Sequence, residues 1–307
     1  GFDIVIANPP YVVVPKDNIY TAHYTTANCL ELYAYFFEKA IDTLVKDGVI
    51  SFITASLFIK GLKFGSLRDF LQRQTKLISL NVVGDDVFEN VQMPTAVFVA
   101  SKSVGTWNFN DMIPGGNILI NMDKSGDSLD AISNIQRGFE IGRNQVRQAG
   151  DYLFLTGSNV RRYTNESYTY ITEDIYQDFA KDDYYFTGER LLIRETGSRL
   201  TVLYLEDKVY SNRSLYSIKI KKGNYLPKYV LGCLNSKACQ YYYSTKFKSD
   251  TDLFPKIRIK QVRMLPIPKA SISLQNIVVN KVDEILDLLA IDIDTNILSI
   301  EQQIDFL

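Results

Sequence analysis

The sequence is poor in the residues that most often carry metal and nucleophilic chemistry, with one histidine and three cysteines in 307 residues. Cys233 and Cys239 have five residues between them and no His or Cys neighbour at zinc spacing, so no metal site is predicted. Three cysteines give no disulfide framework, which favours a reducing cytoplasm. The absence of an apolar run of 18 residues argues against a transmembrane helix, and no signal-peptide pattern opens the chain.

Apolar and aromatic residues, in contrast, are abundant. The chain is 46% hydrophobic and contains 20 Tyr and 17 Phe, which is enough for a core in one large or two ordinary domains. The net charge of −1 hides an uneven distribution: 13 cations between Lys208 and Arg263 face only Asp250 and Asp252. Such a block favours a local polyanion-binding surface, with a solvated sheet face as the alternative.

The first hundred residues alternate between strand and helix patterns. This alternation indicates an α/β domain with parallel units, and "NVQMP" before the last strand suggests an antiparallel arrival. The predicted elements are strands at 3–6, 49–54, 77–83 and 95–101 and helices at 29–47 and 66–75.

Beyond this region the pattern changes. Residues 106–128 are rich in Gly, Asn, Asp and Ser and are predicted to form a linker. Residues 129–272 show short strands around a helix at 225–246, which predicts an α+β domain. Residues 273–307 predict a helical tail. Because the sheet of residues 1–105 lacks first strands, we expect the chain to be the C-terminal part of a larger enzyme.

The segment "DIVIANPPY" places Asn8-Pro9-Pro10-Tyr11 at the end of a strand, where open α/β sheets bind ligands. Proline fixes φ and lacks an N–H, so the backbone is held extended with its carbonyls free. The amide of Asn8 and the carbonyl of Pro9 can therefore offer two acceptors to an amine with two hydrogens. Tyr11 offers a flat face for stacking on a ring.

The exocyclic amine of adenine is a poor nucleophile because its lone pair is delocalised into the ring. Acceptors on both N–H groups would favour tetrahedral geometry at the nitrogen, with no side-chain base required. A base in duplex DNA must first leave the stack, and an aromatic-walled pocket accommodates it.

These residues resemble the catalytic motif of the gamma-class DNA N6-adenine methyltransferases of type II and IIG restriction–modification systems. The segments "LELYAYFFEKAIDTLVKDGVISFITASLF", "GSLRDFL" and "DDVFENVQMPTAVFVAS" resemble the parts that follow the motif in this family. The segments "GFEIGR", "GSNVRRY", "LLIRETG", "YLPKYVLGCLNSK" and "FPKIRIKQVRMLPIP" resemble its target-recognition domain. The resemblance covers nearly the whole chain and implies part of a Rossmann-like sheet followed by an α+β domain.

The resemblance also implies roles for individual residues. Asn8 and Pro9 would accept the adenine amine and border S-adenosylmethionine, Pro10 would shape the loop, and Tyr11 would stack on the base. Phe88 would close the pocket, although core packing is an equal alternative. The Gly-rich loop and acidic residue that hold the cofactor in this family are missing, so the fragment alone is expected to be inactive.

Double-stranded DNA is the expected partner, together with an upstream part of the same polypeptide. Each candidate cation can contact phosphate or base edges, and the sequence does not separate the two. The candidates are Arg161, Arg162, Arg194, Lys246, Lys248 and Arg258.

Two other functions stay open at this point. The motif also serves methyltransferases that act on protein glutamine or RNA, and the chain can be a non-catalytic DNA-binding specificity module. The basic domain after the linker favours the DNA adenine methyltransferase, with an endonuclease fused upstream as a further possibility in type IIG enzymes.

Overall fold

The computed structural model describes residues 1–83, 94–112, 116–221, 223–247 and 256–307. Contacts between Cα atoms divide the chain into two compact units, Gly1–Ile118 and Leu119–Leu307. Within the described ranges, no helix combines the length and apolar character that crossing a bilayer requires.

A four-stranded sheet forms the centre of the first unit. The described elements are β1 (Phe2–Ala7), α1 (Leu32–Thr43), β2 (Leu44–Ala55), α2 (Leu57–Lys60), α3 (Gly65–Gln74), β3 (Lys76–Val83), β4 (Thr95–Ser101) and α4 (Phe109–Met112), with 3-10 turns at Ala27–Cys29 and Leu62–Phe64. The strand order is β1-β2-β4-β3. Strand β1 runs parallel to β2, whereas β4 is antiparallel to both of its neighbours.

Helix α1 covers this sheet with one apolar face. Tyr33, Phe37 and Ile41 recur every four residues and are buried. The ring of Phe37 lies 4.8 Å from that of Phe52 in β2 and 5.4 Å from that of Phe98 in β4. Each buried side chain of this size stabilises the fold by about 1.5–3 kcal/mol.

The predicted helix at 29–47 is longer than α1 at both ends. At its C-terminal end the chain becomes extended at Leu44, which pairs with Phe2 in the sheet. Tertiary pairing with β1 therefore overrides a helical pattern that continued to Asp47 in the sequence.

The segment after β1 turns back and pairs with the start of α1. The amide of Leu32 donates to the carbonyl of Val12 at 2.8 Å, and the amide of Val14 donates to the carbonyl of Leu30 at 3.0 Å. These bonds place residues 8–11 beside the first turn of α1.

Glu38 anchors the rest of this connection. Its carboxylate is buried and accepts the amides of Thr25 at 2.9 Å and Thr26 at 3.0 Å. A carboxylate that accepts two backbone amides is a strong, charge-assisted tie. The loop is thus fixed to α1 by backbone groups at both of its ends.

The second unit combines three small sheets with helices. Helix α5 (Gly116–Ser125) begins in the first unit and ends in the second. The other described elements of the second unit are β5 (Gly126–Ser128), α6 (Leu129–Ile132), β6 (Ser133–Arg137), β7 (Tyr152–Leu155), β8 (Thr169–Ile171), α7 (Glu173–Phe179), β9 (Arg190–Arg194), β10 (Val202–Leu205), β11 (Tyr210–Ser211), β12 (Leu215–Ile220), α8 (Pro227–Asn235), α9 (Lys237–Phe247), α10 (Ile259–Arg263), β13 (Pro266–Pro268), α11 (Ile272–Ile291) and α12 (Leu298–Phe306). Short 3-10 helices lie at Arg143–Gln145, Gly157–Asn159 and Asp183–Tyr185.

Strand pairing in this unit is mostly antiparallel. The sheets have the orders β10-β9-β12-β6, β11-β7-β8 and β13-β5, and among the described strands of this unit β11 and β7 are the pair that runs parallel. The α+β character expected for this region is confirmed, as is the partial α/β sheet of the first unit.

The helical tail consists of two helices, α11 and α12, because the chain leaves α11 at Asp292. Helix α11 packs against α8 at Gly232, where a Cβ atom would lie 2.8 Å from a methyl carbon of Val278. The absence of a side chain at Gly232 therefore sets the separation of the two helices.

Arg190 is fully buried in β9 without a carboxylate partner. Its guanidinium donates to the carbonyls of Gly188, Asp207 and Val209 at 2.8–2.9 Å. Burial lowers the pKa of this side chain to about 10, so it stays charged at neutral pH.

Residues 106–128, predicted as a linker, contain α4, α5 and β5 among their described residues. The polar residues that suggested an irregular linker lie, in part, on the exposed face of a helix. The domain boundaries drawn from the sequence stay predictions.

Replacing Glu38 with Leu should destabilise the protein by about 2–4 kcal/mol, because the buried amide of Thr26 and the part-buried amide of Thr25 lose their acceptor. Urea unfolding measures this change. Asp42→Leu, an exposed acid on the same helix, is the matched control and should stay within about 0.5 kcal/mol of the parent. Equal midpoints for the two variants would show that Glu38 does not hold the loop.

Candidate functional site

The Asn-Pro-Pro-Tyr segment leaves strand β1 at its carboxyl end. Pro9 is buried, Asn8 and Pro10 are exposed, and Tyr11 is half-buried. The hydroxyl of Tyr11 donates to Oδ1 of Asn8 at 3.2 Å. The buried proline and this hydrogen bond fix the loop, while the amide of Asn8 stays open to solvent.

This geometry leaves Asn8 with free acceptor capacity. An amide oxygen has two lone pairs, and Tyr11 uses one of them. Partial burial raises the pKa of Tyr11 above its ordinary value of 10.0, so its hydroxyl stays a donor through neutral and mildly alkaline pH. A second donor, such as an amine N–H, can therefore join at Asn8 without displacing Tyr11.

Tyr33 supports Tyr11 from below. The two rings meet edge to face, with centroids 6.1 Å apart and an interplanar angle of 81°. Tyr33 in turn stacks on Phe64 with a centroid distance of 5.4 Å. Edge-to-face pairs of this kind stabilise by about 0.5–1.5 kcal/mol, and they restrict the orientation of the Tyr11 ring.

The hydroxyl of Tyr33 is buried and has no hydrogen-bond partner among the described residues. Burial, together with the nearby Glu31 carboxylate, raises the pKa of this phenol, so it is neutral. Tyr33 therefore supports Tyr11 through contact between the two rings, and its hydroxyl takes no part in this support. The sequence analysis gave Tyr33 no role.

Phe88, the second aromatic expected at the base pocket, lies outside the described residues. Cofactor contacts of Asn8 and Pro9 stay predictions. Across the described residues, no group of three or more His, Cys, Asp or Glu side chains is arranged to hold a metal ion. His23 stacks against Tyr24, with ring centroids 4.3 Å apart.

Two of the expected DNA-contacting arginines are engaged within the second unit. Arg161 is exposed and pairs with Glu166 at 2.6 Å and Asp294 at 2.8 Å, which raises its pKa. Arg162 is mostly covered and pairs with Glu301 at 2.5 Å. It also donates to the carbonyl of Asn235. Contact of Arg162 with DNA would require this pair to open.

The other candidates differ from one another. Lys246 pairs with Asp123 at 2.7 Å. Arg194 is half-buried, with Nε 3.5 Å from Oγ1 of Thr196. Arg258 is exposed, whereas Lys248 lies outside the described residues. Their roles in DNA binding stay predictions.

Two protein families match separate parts of the chain. Residues 1–88 match the Eco57I restriction-modification methylase family, and residues 152–267 match the TaqI-like C-terminal specificity domain. The first match includes the Asn-Pro-Pro-Tyr segment and α1, and the second includes most of the predicted recognition domain. Both matches confirm the two-part resemblance expected from the sequence.

Three similar proteins are methyltransferases or methylases by name. The type II methyltransferase M.TthHB8I of Thermus thermophilus is 22% identical over 315 residues, covering 87% of this chain and 72% of the relative. The type II restriction enzyme and methyltransferase RM.Eco57I of Escherichia coli is 32% identical over 111 residues, covering 33% of this chain and 11% of the relative. The modification methylase CviBIII of Paramecium bursaria Chlorella virus NC1A is 24% identical over 216 residues, covering 63% of this chain and 50% of the relative. The chain therefore spans only part of each relative.

The fold is also similar to a solved structure, the type IIL restriction-modification enzyme MmeI in complex with DNA. The TM-score is 0.61 at 10% identity, and the match covers 99% of this chain and 53% of that chain. The likeness concerns the fold.

Removing the unpartnered hydroxyl with Tyr33→Phe should raise the free energy of unfolding by up to about 1 kcal/mol. Tyr35→Phe is the opposite control on the same helix, because the hydroxyl of Tyr35 donates to the carbonyl of Ala27 at 3.1 Å. That variant should lose about 1 kcal/mol. Urea unfolding compares the two, and a loss of equal size in both would indicate an internal partner for Tyr33.

Proposed function

We propose that this chain, as a member of the type II restriction–modification methyltransferases with a target-recognition domain, acts in the methylation of adenine in duplex DNA. The methyl group would come from S-adenosylmethionine and be transferred to N6 of the base. The observation that carries the proposal is the open amide of Asn8. It sits at the carboxyl end of β1, on a proline-fixed loop, beside an aromatic ring held from below.

The proposed chemistry depends on hydrogen-bond acceptors. Oδ1 of Asn8 and the carbonyl of Pro9 would accept the two N–H groups of the adenine amine, which localises the lone pair on nitrogen. Tyr11 would stack on the base after it leaves the duplex. Acceptors that are fixed before the substrate arrives need little reorganisation during the reaction.

The residues present fit a cationic cofactor. The groups at this site are neutral oxygen acceptors and an aromatic face, and the hydrogen-bond partner of Asn8 is the neutral phenol of Tyr11. A positively charged sulfonium is compatible with such surroundings. S-adenosylmethionine, when bound, supplies the methyl group.

Fusion of the complete polypeptide to an endonuclease is a further part of the proposal. Its support is the relative whose name joins restriction enzyme and methyltransferase. A DNA substrate is compatible with the cytoplasmic location expected from the sequence.

The test is transfer of tritium from labelled S-adenosylmethionine to mixed-sequence duplex DNA by the full-length gene product, followed by nucleoside analysis. Label on N6-methyladenine supports the proposal. In parallel reactions with RNA or protein as the acceptor, label on RNA or on protein glutamine but not on duplex DNA would establish one of the alternative methyltransferases. Binding of duplex without any transfer would leave a DNA-binding specificity module.

In the full-length enzyme, Asn8→Ala should lower kcat by about 10²–10³-fold, because a preorganised group at the reacting amine is lost. DNA affinity should change by less than about threefold. Asn296→Ala is the control, since Oδ1 of Asn296 also accepts one hydrogen bond, from the amide of Leu298 at 3.0 Å. If kcat and affinity of the Asn8 variant fell together, Asn8 would only shape the loop.

Tyr11→Ala should weaken binding of duplex carrying 2-aminopurine at the target base by about fivefold to a hundredfold, the range for one lost base stack. Tyr11→Phe keeps the ring but loses the hydrogen bond to Asn8. This variant should retain most of the increase in 2-aminopurine fluorescence that accompanies binding, when the target base leaves the duplex stack. Identical behaviour of the two variants would argue against stacking.

A further inference from the structure

Of the 13 cations in the basic block between Lys208 and Arg263, 11 lie among the described residues, and several of these are neutralised within the second unit. Six of them form ion pairs with carboxylates at distances of 2.6–3.6 Å. The pairs are Lys208–Asp183, Arg213–Glu140, Lys228–Asp283, Lys237–Asp305, Lys246–Asp123 and Arg263–Asp130. A cation beside its own carboxylate adds little net field for a polyanion.

Two more cations of the block donate to backbone carbonyls. Lys219 reaches the carbonyl of Thr187 at 2.7 Å, and Lys221 reaches that of Ala131 at 3.0 Å. Among the described cations of the block, this leaves Lys256, Arg258 and Lys260. All three are exposed, and their side chains have no hydrogen bond or ion pair with a described residue.

The backbone beneath these three side chains is held firmly. The amide of Ile257 donates to the carbonyl of Glu195 at 2.6 Å, and the hydroxyl of Tyr216 donates to the carbonyl of Ile257 at 3.2 Å. Ile257 is fully buried between exposed Lys256 and Arg258. The cations therefore project outward from a fixed base.

The turn between β9 and β10 adds a fourth cation. Thr196 in this turn forms a β-bridge with Lys256, and the turn is closed by the amide of Arg194 donating to the carbonyl of Thr201 at 3.0 Å. Arg199 is exposed in the same turn and has no side-chain partner among the described residues.

Carboxylates are scarce around this surface. In residues 194–201 and 256–263, the single acid is Glu195. Its carboxylate is mostly covered and is bound by Arg137 at 2.7 Å. Arg199, Lys256, Arg258 and Lys260 thus carry net positive charge that the described residues do not neutralise. We call these four side chains the basic ridge.

We propose that the basic ridge grips the phosphate backbone of duplex DNA and orients the second unit on it. This inference rests on the proposed function and assigns it a surface. Reading base edges requires side chains held in a fixed geometry, whereas the four ridge side chains are long, exposed and unanchored. Such side chains suit phosphates, which recur along both strands whatever the sequence.

The test measures the affinity of the full-length protein for a mixed-sequence duplex by fluorescence anisotropy over a range of salt concentrations. Each phosphate contact contributes about 0.9 to the slope of log Kobs against log salt. The double variant Lys256→Gln/Arg258→Gln should therefore lower the magnitude of the slope by about 1.8. Its affinity should fall by the same factor for a second duplex of unrelated sequence.

The matched control is Lys208→Gln/Lys228→Gln, which removes the same formal charge from cations that are already paired. The control should keep the parent slope, and circular dichroism melting checks that both variants are folded. Equal slope changes in the two variants would overturn the assignment, because total charge alone would then govern binding. An unchanged slope in the ridge variant would overturn it as well.

These outcomes are separable from the fate of the proposed function. If the parent protein transfers methyl groups to DNA but the ridge variant keeps its slope, the ridge fails and the methyltransferase stands. If no methyl transfer occurs but the slope falls only in the ridge variant, the ridge holds and the methyltransferase fails.

Discussion

The buried carboxylate of Glu38 holds the connection that follows the Asn-Pro-Pro-Tyr segment against helix α1. The short ladder between Val12–Val14 and Leu30–Leu32 performs the same task nearer the segment. Without these hydrogen bonds, the long connection that follows strand β1 would not be held against helix α1. The position of Asn8 and Tyr11 over α1 depends on them.

From this anchoring follows a layered site. Phe64 supports Tyr33, Tyr33 meets Tyr11 edge to face, and the hydroxyl of Tyr11 orients the amide of Asn8. Each layer restricts the next through packing or one hydrogen bond. The outermost polar group is thereby fixed by residues that never need to touch a substrate, as preorganised sites require.

Elements whose pattern is local were predictable from the sequence. Strands β3 and β4 and helix α3 fall within one residue of their predicted bounds, since alternation and helical spacing can be read within a short window. The same holds for the Asn-Pro-Pro-Tyr turn, whose prolines limit the backbone directly. Helix α1 was overextended because its end is set by pairing with β1, which is distant in sequence.

Through-space partners were not predictable. The hydrogen bonds of Glu38 to the Thr25 and Thr26 amides, and the contact of Tyr33 with Tyr11, produce no repeating pattern in the sequence. Lys246 of the basic block and Arg162 outside it show the limitation of counting charges, because their partners Asp123 and Glu301 lie in remote segments. Composition revealed that cations were abundant, but only the fold reveals which of them are already neutralised.

Arg190 has a consequence for the order in which the second unit assembles. Its two terminal nitrogens find acceptors only when the carbonyls of Gly188, Asp207 and Val209 converge on them. A partly collapsed chain that buried this charge before those carbonyls arrived would carry a large desolvation penalty. Burial of strand β9 together with the turn that follows β10 avoids this penalty, and the contacts of Arg190 therefore favour cooperative formation of this region.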